Sequence, residues 1–322
     1  MATNKTFLPD KDSPKAQELI QLFPYASNEE LRMWAKQYGY ANITSFKEAM
    51  RKRWDVKRAT PNSGWEPSEI NHPLELDTAK ERKTFAIIND TQNPYQDAES
   101  MGLMERFLQD IEFHYLIYNG DIADFYQISK FDKNPKKTAD LQADLDNTRA
   151  MLYHHKKLFP DAKGKWLDGN HEDRWRKFLW TKAPEASGLR CLTIPKLFHL
   201  DDYAIDYIPY EQGLMVNGVF LILHGTIASV HSGYTAKRMY EKHGGCGVSG
   251  HSHRGGVFYK RDRFGTWGWW ENFCLCHLNP DYVKNPNWVQ GFSLVHFQGH
   301  RFNVEQIPIL DHTLMYGGKV YK

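Results

Sequence analysis

Two histidines stand one residue apart near the end of a short apolar run. Residues 247–255 read GVSGHSHRG, which places His251 and His253 between glycines. Side chains at i and i+2 of an extended segment point to the same side, so the two imidazoles can converge on one point. Imidazole is a common ligand of transition metals. A chain with 15 histidines contains close pairs by chance, so the pair indicates a metal site only if other ligand-type residues lie where the fold can bring them together.

Ligand-type side chains also follow four other apolar runs. They are Asp90 and Gln92 after TFAIIN, Asp121 and Asp124 after YLIYN, Asn170, His171 and Arg174 after GKWLD, and His224 after VFLIL. Open α/β sheets place their sites at the carboxyl ends of strands. Because five strand ends each deliver Asp, Asn, Gln or His, we expect these residues to meet.

The segments between these residues predict an α/β fold. Amphipathic helices over 97–111 and 140–158 separate the first three apolar runs, a pattern typical of βαβ units. Later segments predict antiparallel hairpins. One turns at Asn217-Gly218, and two more lie in 257–270 and 292–307. The tryptophans of FGTWGWW are expected to pack a sheet face, the alternative being a platform on which bases stack.

The first 58 residues have an all-α pattern. Three short amphipathic helices are predicted in KAQELIQLF, SNEELRMWAKQYG and a segment that begins with SFKE. A tight turn before a basic last helix fits a small helix-turn-helix-like domain. Residues 59–80 contain three prolines and no clear periodicity. The expected organisation is therefore a helical domain at 1–58, a linker at 59–80 and an α/β domain at 81–322.

The third predicted helix carries the basic residues Lys47, Arg51, Lys52 and Arg53. Residues 32–58 contain eight Lys or Arg and only two acidic residues. Such a local surplus suits contacts with a phosphate backbone, so these four residues are candidates for binding nucleic acid. The alternative is a solvated helical cap without a partner.

The composition is that of an ordinary globular protein. Of 322 residues, 41% are hydrophobic and 25% charged, and a net charge of +2 argues against a uniformly basic coat. The four cysteines form no C-x-x-C pair and are expected to be reduced core or strand residues rather than zinc ligands or disulfides. The apolar run VFLIL is too short to span a bilayer, and the N-terminus has no apolar leader. We therefore expect an intracellular protein without a membrane partner.

The ordered motifs D-x-[HQ], G-D-x-x-D, G-N-H-E, H-G and G-H-x-H, over about residues 83–260, resemble the calcineurin-like metallophosphoesterase superfamily. The resemblance implies two β-sheets packed face to face with helices outside, in agreement with βαβ units followed by hairpins. The tail NPNWVQGFSLVHF also resembles metallophosphoesterases encoded by phages and prophages. The expected fold class is therefore an α/β two-sheet sandwich flanked by helices, with a small N-terminal all-α domain.

The resemblance implies two divalent ions that share one carboxylate. The implied ligands are Asp90, Gln92, Asp121 and His253 for the first ion, and Asp121, Asn170, His224 and His251 for the second. Mixed nitrogen and oxygen ligands suit manganese, with iron, zinc or nickel as alternatives. Most of the family has His where this chain has Gln92, whose amide oxygen either binds the first ion or faces away from it.

The implied reaction is hydrolysis of a phosphoester by hydroxide formed between two ions. His171 is implied as the proton donor or the group that stabilises phosphoryl charge, and Asp124 as the group that orients it. The alternatives are packing for His171 and turn capping for Asp124. Arg174 and Arg254 follow ligands closely and either bind a phosphate oxygen or remain solvated.

The residues after the second motif separate classes of phosphoester. Protein phosphatases of the superfamily continue there with arginine and glycine, whereas Asp124 is followed by Phe125. We therefore expect a phosphodiesterase, with nucleic acid as its substrate because of the basic helical domain. One alternative is a hydrolase of small nucleotides or nucleoside diphosphate compounds, which Gln92 favours. Another is a DNA-binding or assembly protein that keeps the fold as a scaffold.

Overall fold

The structure, a computed structural model, describes residues 8–23, 26, 28–54, 72–78, 80–130, 133–134, 140–280 and 283–322. The chain forms two compact units, residues 1–70 and residues 71–322. Every helix in the described ranges is too short or too polar to cross a lipid bilayer.

The smaller unit contains three helices, α1 (Pro14–Leu22), α2 (Asn28–Gln37) and α3 (Ile43–Trp54). Their apolar stripes form one small core, in which Phe46 is fully buried. The third helix begins before the predicted SFKE segment, because Asn42 Oδ1 accepts the backbone N–H of Ser45 at 2.9 Å and caps the first turn. Gly39 follows α2 with φ 74°, a conformation that favours glycine at a helix end.

The larger unit, where described, contains five helices and fourteen strands. The helices are α4 (Ala98–Gln109), α5 (Leu141–Leu158), α6 (Asn170–Lys182), α7 (Ile194–Leu197) and α8 (Tyr234–His243). The strands are β1 (Leu74–Leu76), β2 (Arg82–Ile88), β3 (Tyr115–Asn119), β4 (Lys163–Leu167), β5 (Ile205–Ile208), β6 (Leu214–Val216), β7 (Phe220–Leu223), β8 (Cys246–Ser249), β9 (Gly255–Asp262), β10 (Gly265–Asn272), β11 (Gln290–Gln298), β12 (Arg301–Ile309), β13 (Leu314–Tyr316) and β14 (Lys319–Tyr321).

The strands form two six-stranded sheets and one small hairpin. The first sheet has the order β12-β11-β2-β3-β4-β5, in which β2 to β5 are parallel. The second has the order β1-β6-β7-β8-β10-β9, and β13 pairs with β14. Strand β1 lies in the segment expected to be a linker, because its backbone pairs in parallel with β6. Most of the remaining 59–80 segment lies outside the described residues.

Apolar side chains fill the space between the two sheets and cover their outer faces. Phe85 and Ile117 of the first sheet share one buried cluster with Phe220 and Val248 of the second. A second cluster lies under α4 and α5, and a third includes residues of α8. The expected fold class, an α/β two-sheet sandwich flanked by helices together with a small all-α unit, is therefore confirmed.

The three predicted hairpins are present as β6–β7, β9–β10 and β11–β12. The first turns at Asn217 and Gly218, whose φ values of 52° and 66° suit this dipeptide. Trp269 and Trp270 of β10 are buried and Trp267 is half-buried, so these rings pack in the fold, as expected.

Candidate metal centre

The strand ends that carry the predicted ligands meet at one edge of the sandwich. Asp90 follows β2 and Asp121 follows β3 in the first sheet, whereas His224 follows β7 and His253 follows β8 in the second. His253 Nε2 lies 2.9 Å from Asp90 Oδ1, and His224 Nε2 lies 3.3 Å from Asp121 Oδ2. All four residues are buried. The fold thus brings together side chains that are up to 163 residues apart in the chain.

Gln92 and His251 complete the same cluster. Gln92 Nε2 lies 3.1 Å from His253 Nε2, and turning the amide by 180° would present its oxygen to the same point. His251, His224 and Asp121 each place a potential ligand atom within 4.8 Å of the other two.

Three potential ligand atoms are buried without a hydrogen-bond partner among the described residues. They are Asp90 Oδ1, Asn170 Oδ1 and His224 Nε2. Asp90 Oδ1 is close to a ring nitrogen of His253, and His224 Nε2 is close to a carboxylate oxygen of Asp121. In neither pair does the geometry allow a hydrogen bond. Buried polar atoms are normally paired. Divalent cations among these atoms would satisfy them, so the residues present fit a metal centre.

The backbone at this cluster adopts left-handed conformations. The φ values are 51° at Asp90, 50° at Gln92, 51° at Asp121, 69° at His251 and 56° at His253. Such a conformation costs a non-glycine residue roughly 1–2 kcal/mol and persists where surrounding contacts impose it. Five of the seven candidate ligands therefore sit in a backbone arrangement that is typical of functional sites.

Two glycines allow the strand ends to approach each other. A Cβ at Gly120 would lie 2.5 Å from the ring of His224, and a Cβ at Gly169 would overlap the carboxylate of Asp121. Any larger side chain would push the ligands apart. These are the glycines of the G-D-x-x-D and G-N-H-E motifs, so both motifs contain a residue required for packing as well as ligands.

One carboxylate oxygen of Asp90 and one of Asp121 accept hydrogen bonds from backbone or side-chain amide groups. Asp90 Oδ2 accepts the side-chain amide of Asn89 at 2.6 Å and the backbone N–H of His251 at 2.8 Å. Asp121 Oδ1 accepts the backbone N–H of His171 at 2.8 Å. Such contacts orient ligands toward an ion.

Glu172 is a residue that sequence reasoning missed. It is fully buried, and it accepts the backbone N–H groups of Asp121, Ile122, Ala123 and Gly169 at 2.7–3.0 Å. Burial, with the charge of Asp121 added, raises the pKa of this carboxyl above its usual value. A signal was present, since the G-N-H-E motif places a glutamate at the third position of α6, where it can cap the helix.

His171 lies beside the proposed bridge and close to Asp124, as the motif resemblance implies. Its Nδ1 is 2.7 Å from Asp124 Oδ1, although not in a direction that makes a hydrogen bond, and its Nε2 is 3.5 Å from Asp121 Oδ2. Arg174 does not point away into solvent. Its Nη1 donates to the backbone oxygen of Asp124 at 2.7 Å, and its Nη2 lies 2.7 Å from His171 Nε2.

The charged groups of the cluster strongly influence one another. Burial disfavours the charged form of Asp121, but His171 and His224 outweigh it and hold the pKa of this carboxyl well below its usual range. Burial likewise opposes protonation of His224 and His253, yet the aspartates raise the pKa of each to about 10. Burial and neighbouring His224 lower the pKa of His251 to about 4. The buried aspartates thus favour positive charge close to them, and a divalent cation also supplies positive charge.

The remaining candidates lie elsewhere or have local partners. Arg254 is half-buried, and its Nη1 donates to the backbone oxygen of Ser252 at 3.1 Å. In α3, Arg51, Lys52 and Arg53 are exposed and Lys47 is half-buried. Lys52 also forms an ion pair with Glu48 at 2.7 Å.

The chain is similar in sequence to the Gene 54 proteins of two Mycobacterium phages, in agreement with the expected likeness to phage proteins. The protein of phage L5 is 21% identical over 252 residues, which cover 74% of this chain and 99% of the phage protein. The protein of phage D29 is 22% identical over 259 residues, with the same coverage of both chains. No protein-family model matches the chain.

Three solved structures with 12% sequence identity are also similar. Vacuolar Protein Sorting 29 from Cryptosporidium parvum has a TM-score of 0.39, with coverage of 74% of this chain and 95% of that chain. Vps29 from Entamoeba histolytica has a TM-score of 0.36, with coverage of 74% and 96%. Vps29 from Chaetomium thermophilum has a TM-score of 0.39, with coverage of 71% and 86%.

Proposed function

We propose that this protein is a dinuclear metal-dependent phosphodiesterase that acts on nucleic acid. The observation that carries the proposal is the convergence of six potential ligands from four strand ends, namely Asp90, Gln92, Asp121, His224, His251 and His253. Asp90 Oδ1 and His224 Nε2, together with Asn170 Oδ1 after a fifth strand, are buried and unpaired among the described residues. Leaving such atoms unpaired costs free energy that metal binding would recover. A purely structural role for the fold offers no reason to keep this arrangement.

The proposed ligand sets are those that the motifs imply. Asp90, Gln92, Asp121 and His253 would hold one ion, and Asp121, Asn170, His224 and His251 would hold the other. Nitrogen and oxygen ligands of this kind suit manganese, with iron, zinc and nickel as alternatives. When bound, two such ions supply a hydroxide nucleophile near neutral pH and polarise the phosphoryl group.

His171 is the proposed general acid, and Asp124 the residue that positions it. To act as a general acid, His171 must carry a proton on Nε2 as well as on Nδ1. Asp124 lies beside Nδ1 at 2.7 Å, which leaves Nε2 to face the reacting group. Arg174 Nη2 now occupies the space next to Nε2. For His171 to donate a proton from Nε2, Arg174 must turn away, and a phosphate oxygen is the natural acceptor for its guanidinium.

The preference for nucleic acid depends on two features. Phe125 stands where the phosphatase motif has arginine, and it is buried against Trp175 and Phe198. It therefore provides no cation for a phosphomonoester. The smaller unit exposes Arg51, Lys52 and Arg53 on one helix, where they suit a phosphate backbone.

The test of catalysis is hydrolysis of bis-p-nitrophenyl phosphate by the full chain with added Mn²⁺. We expect metal-dependent hydrolysis that Asp121→Asn abolishes, while Asp201→Asn, at an exposed position, leaves it unchanged. The same protein is also tested on a panel of single-stranded DNA, duplex DNA, RNA, cyclic nucleotides and ADP-ribose. The proposal is overturned if the wild-type protein binds Mn²⁺ but hydrolyses neither this ester nor any member of the panel. Turnover of ADP-ribose alone would instead favour the small-nucleotide alternative, with which Gln92 agrees.

The test of the nucleic-acid partner is a mobility shift at several salt concentrations. Reversing charge with Arg51→Glu and Arg53→Glu should weaken DNA binding. The slope of the logarithm of the binding constant against the logarithm of the salt concentration should also become shallower, by roughly one for each phosphate that the variant no longer binds. The matched control is Lys11→Glu with Lys15→Glu, two exposed residues of the same unit. Equal effects of both pairs would show that the basic face of α3 is not a specific contact.

A further inference from the structure

Two cysteine thiols lie behind His253, on the side of its ring that faces away from Asp90. His253 Nε2 is 2.9 Å from Asp90 Oδ1, whereas Nδ1 is 3.8 Å from Cys276 Sγ. His253, Cys274 and Cys276 each place one potential ligand atom within 4.8 Å of the other two. Their exposed fractions are 5%, 0% and 1%. This is a closed nitrogen-sulfur cluster, and the proposed phosphoesterase chemistry uses neither of its two thiols.

The backbone holds both thiols near the imidazole, where Cys276 Sγ faces His253 Nδ1 and Cys274 Sγ donates to Val289 O at 3.5 Å. The segment that contains them is bonded on both sides, since Phe273 N–H donates to Arg254 O at 2.9 Å and Cys274 N–H donates to Val289 O at 3.2 Å. Farther along, the side chain of Gln290 donates to Cys276 O at 3.0 Å. Side chains two residues apart in an extended segment point to the same side. The two thiols are therefore placed by the fold rather than by chance rotation.

The distance between His253 Nδ1 and Cys276 Sγ suits two ligands of one tetrahedral ion. Zinc binds sulfur at about 2.3 Å and imidazole nitrogen at about 2.0–2.1 Å, so neighbouring nitrogen and sulfur ligands of one ion stand roughly 3.5 Å apart. The observed 3.8 Å between His253 Nδ1 and Cys276 Sγ is close to that distance. Thiolates select thiophilic ions over manganese or magnesium.

We propose that His253, Cys274 and Cys276 form a further metal site for a thiophilic divalent cation such as Zn²⁺, separate from the proposed manganese ligands except for the shared imidazole. Binding forms one metal–nitrogen and two metal–sulfur bonds, releases to solvent the two thiol protons and the proton that protonated His253 carries on Nδ1, and changes no oxidation state. The site goes beyond the proposed function and does not require the protein to be a phosphodiesterase.

The test is titration of the metal-free full chain with Co²⁺, followed by absorbance. Bound thiolate gives a near-ultraviolet sulfur-to-cobalt charge-transfer band, which nitrogen and oxygen ligands do not give. We expect this band in the wild type, at least a twofold weaker band in Cys274→Ser or Cys276→Ser, and no band in the double variant. The matched control is Cys246→Ser, because Cys246 is also buried but its Sγ faces the backbone N–H of Gly268.

The Co²⁺ titration of the wild-type protein is by itself able to overturn the inference. If Co²⁺ binds, as its visible absorption shows, but no charge-transfer band forms, the thiols only pack against His253. A band that persists in the double variant, with circular dichroism like that of the wild type, would equally refute the site. Hydrolysis of bis-p-nitrophenyl phosphate with Mn²⁺, measured on the same samples, separates this result from the phosphodiesterase proposal.

Discussion

The buried carboxylate of Glu172 accepts the backbone N–H of Asp121 at 3.0 Å. The same carboxylate also accepts the N–H groups of Ile122, Ala123 and Gly169. One side chain of α6 therefore fixes the chain that follows β3, including the proposed bridging ligand. Four hydrogen bonds to one carboxylate offset part of the cost of burying its charge, although burial and the charge of Asp121 outweigh them and raise its pKa.

Changing Glu172 should loosen the metal centre without touching a ligand. In Glu172→Gln the amide nitrogen faces backbone donors and cannot accept their hydrogens, so we expect a loss of about 2–3 kcal/mol in the free energy of unfolding. Mn²⁺ affinity should fall as well. Urea denaturation and metal titration measure both effects, with the exposed Glu185→Gln as the control. Unchanged stability would show that the four backbone contacts do not depend on the charge.

Changing Asp121 should remove at least one of the two proposed metal ions while the fold remains. Asparagine keeps an oxygen for the backbone N–H of His171 but has no second anionic oxygen to share between two ions. We expect Asp121→Asn to bind no more than one Mn²⁺ and to lose at least about 100-fold in kcat. Equilibrium dialysis and steady-state hydrolysis check this. Two bound ions in the variant would refute the bridge.

His171 and Asp124 should act as one unit. We expect His171→Gln and Asp124→Asn each to lower kcat by about 10²–10⁴-fold while Mn²⁺ binding is retained. Because Asp124 acts through His171, the double variant should be little worse than His171→Gln alone. A kinetic double-mutant cycle measures the coupling. Fully additive losses would mean that Asp124 contributes independently of the histidine.

A buried chain of three side chains should set part of the acid stability. Tyr118 OH lies 3.0 Å from His155 Nδ1, and His155 Nε2 lies 3.1 Å from Glu105 Oε1. Burial opposes ionisation of Glu105, but His155 and His154 together outweigh it and lower the pKa of the carboxyl below 4.5. Its contribution to stability is thus present above pH 4.5 and lost as the pH falls through the lowered pKa.

The variant Glu105→Gln should therefore destabilise the protein by about 1–3 kcal/mol at pH 7. The difference from the wild type should shrink in more acidic solution. Denaturant unfolding of both proteins between pH 3 and pH 7 measures it. A constant difference over this range would show that the charge of Glu105 is not responsible.

Ionisation of Asp144 should destabilise the protein, whereas ionisation of Glu105 stabilises it. Burial, together with the charges of Asp124 and Asp140, raises the pKa of its carboxyl to about 6, although Gln127 donates to Asp144 Oδ2 at 2.8 Å. A carboxyl with a raised pKa destabilises the folded state when it ionises. This destabilisation is absent below pH 3.8 and complete above about pH 6. Asp144→Asn keeps the acceptor oxygen and removes the charge.

We therefore expect Asp144→Asn to stabilise the protein by about 1–2 kcal/mol at pH 8 and by almost nothing at pH 4. Thermal unfolding at the two pH values tests this. The exposed Asp146→Asn, two residues along α5, is a control that should show little pH dependence of this kind.

Local patterns were enough to predict the elements around the site. Strands β2, β3 and β4 coincide closely with apolar runs, and the Asn217-Gly218 hairpin follows from the backbone freedom of those two residues. The candidate ligands were visible because each directly follows an apolar run. These predictions depend only on residues that are close together in the chain, so the local pattern of apolar and polar side chains is enough to make them.

The sequence by itself determined the element types, the two-sheet fold class and the set of candidate ligands. Only the tertiary structure decided which atoms meet. It placed four backbone donors on Glu172, turned Arg174 onto His171 and set Cys276 behind His253. These contacts mostly join residues far apart in the chain, and they depend on how two sheets pack. No local periodicity encodes that packing, because it results from many side chains filling the core at once.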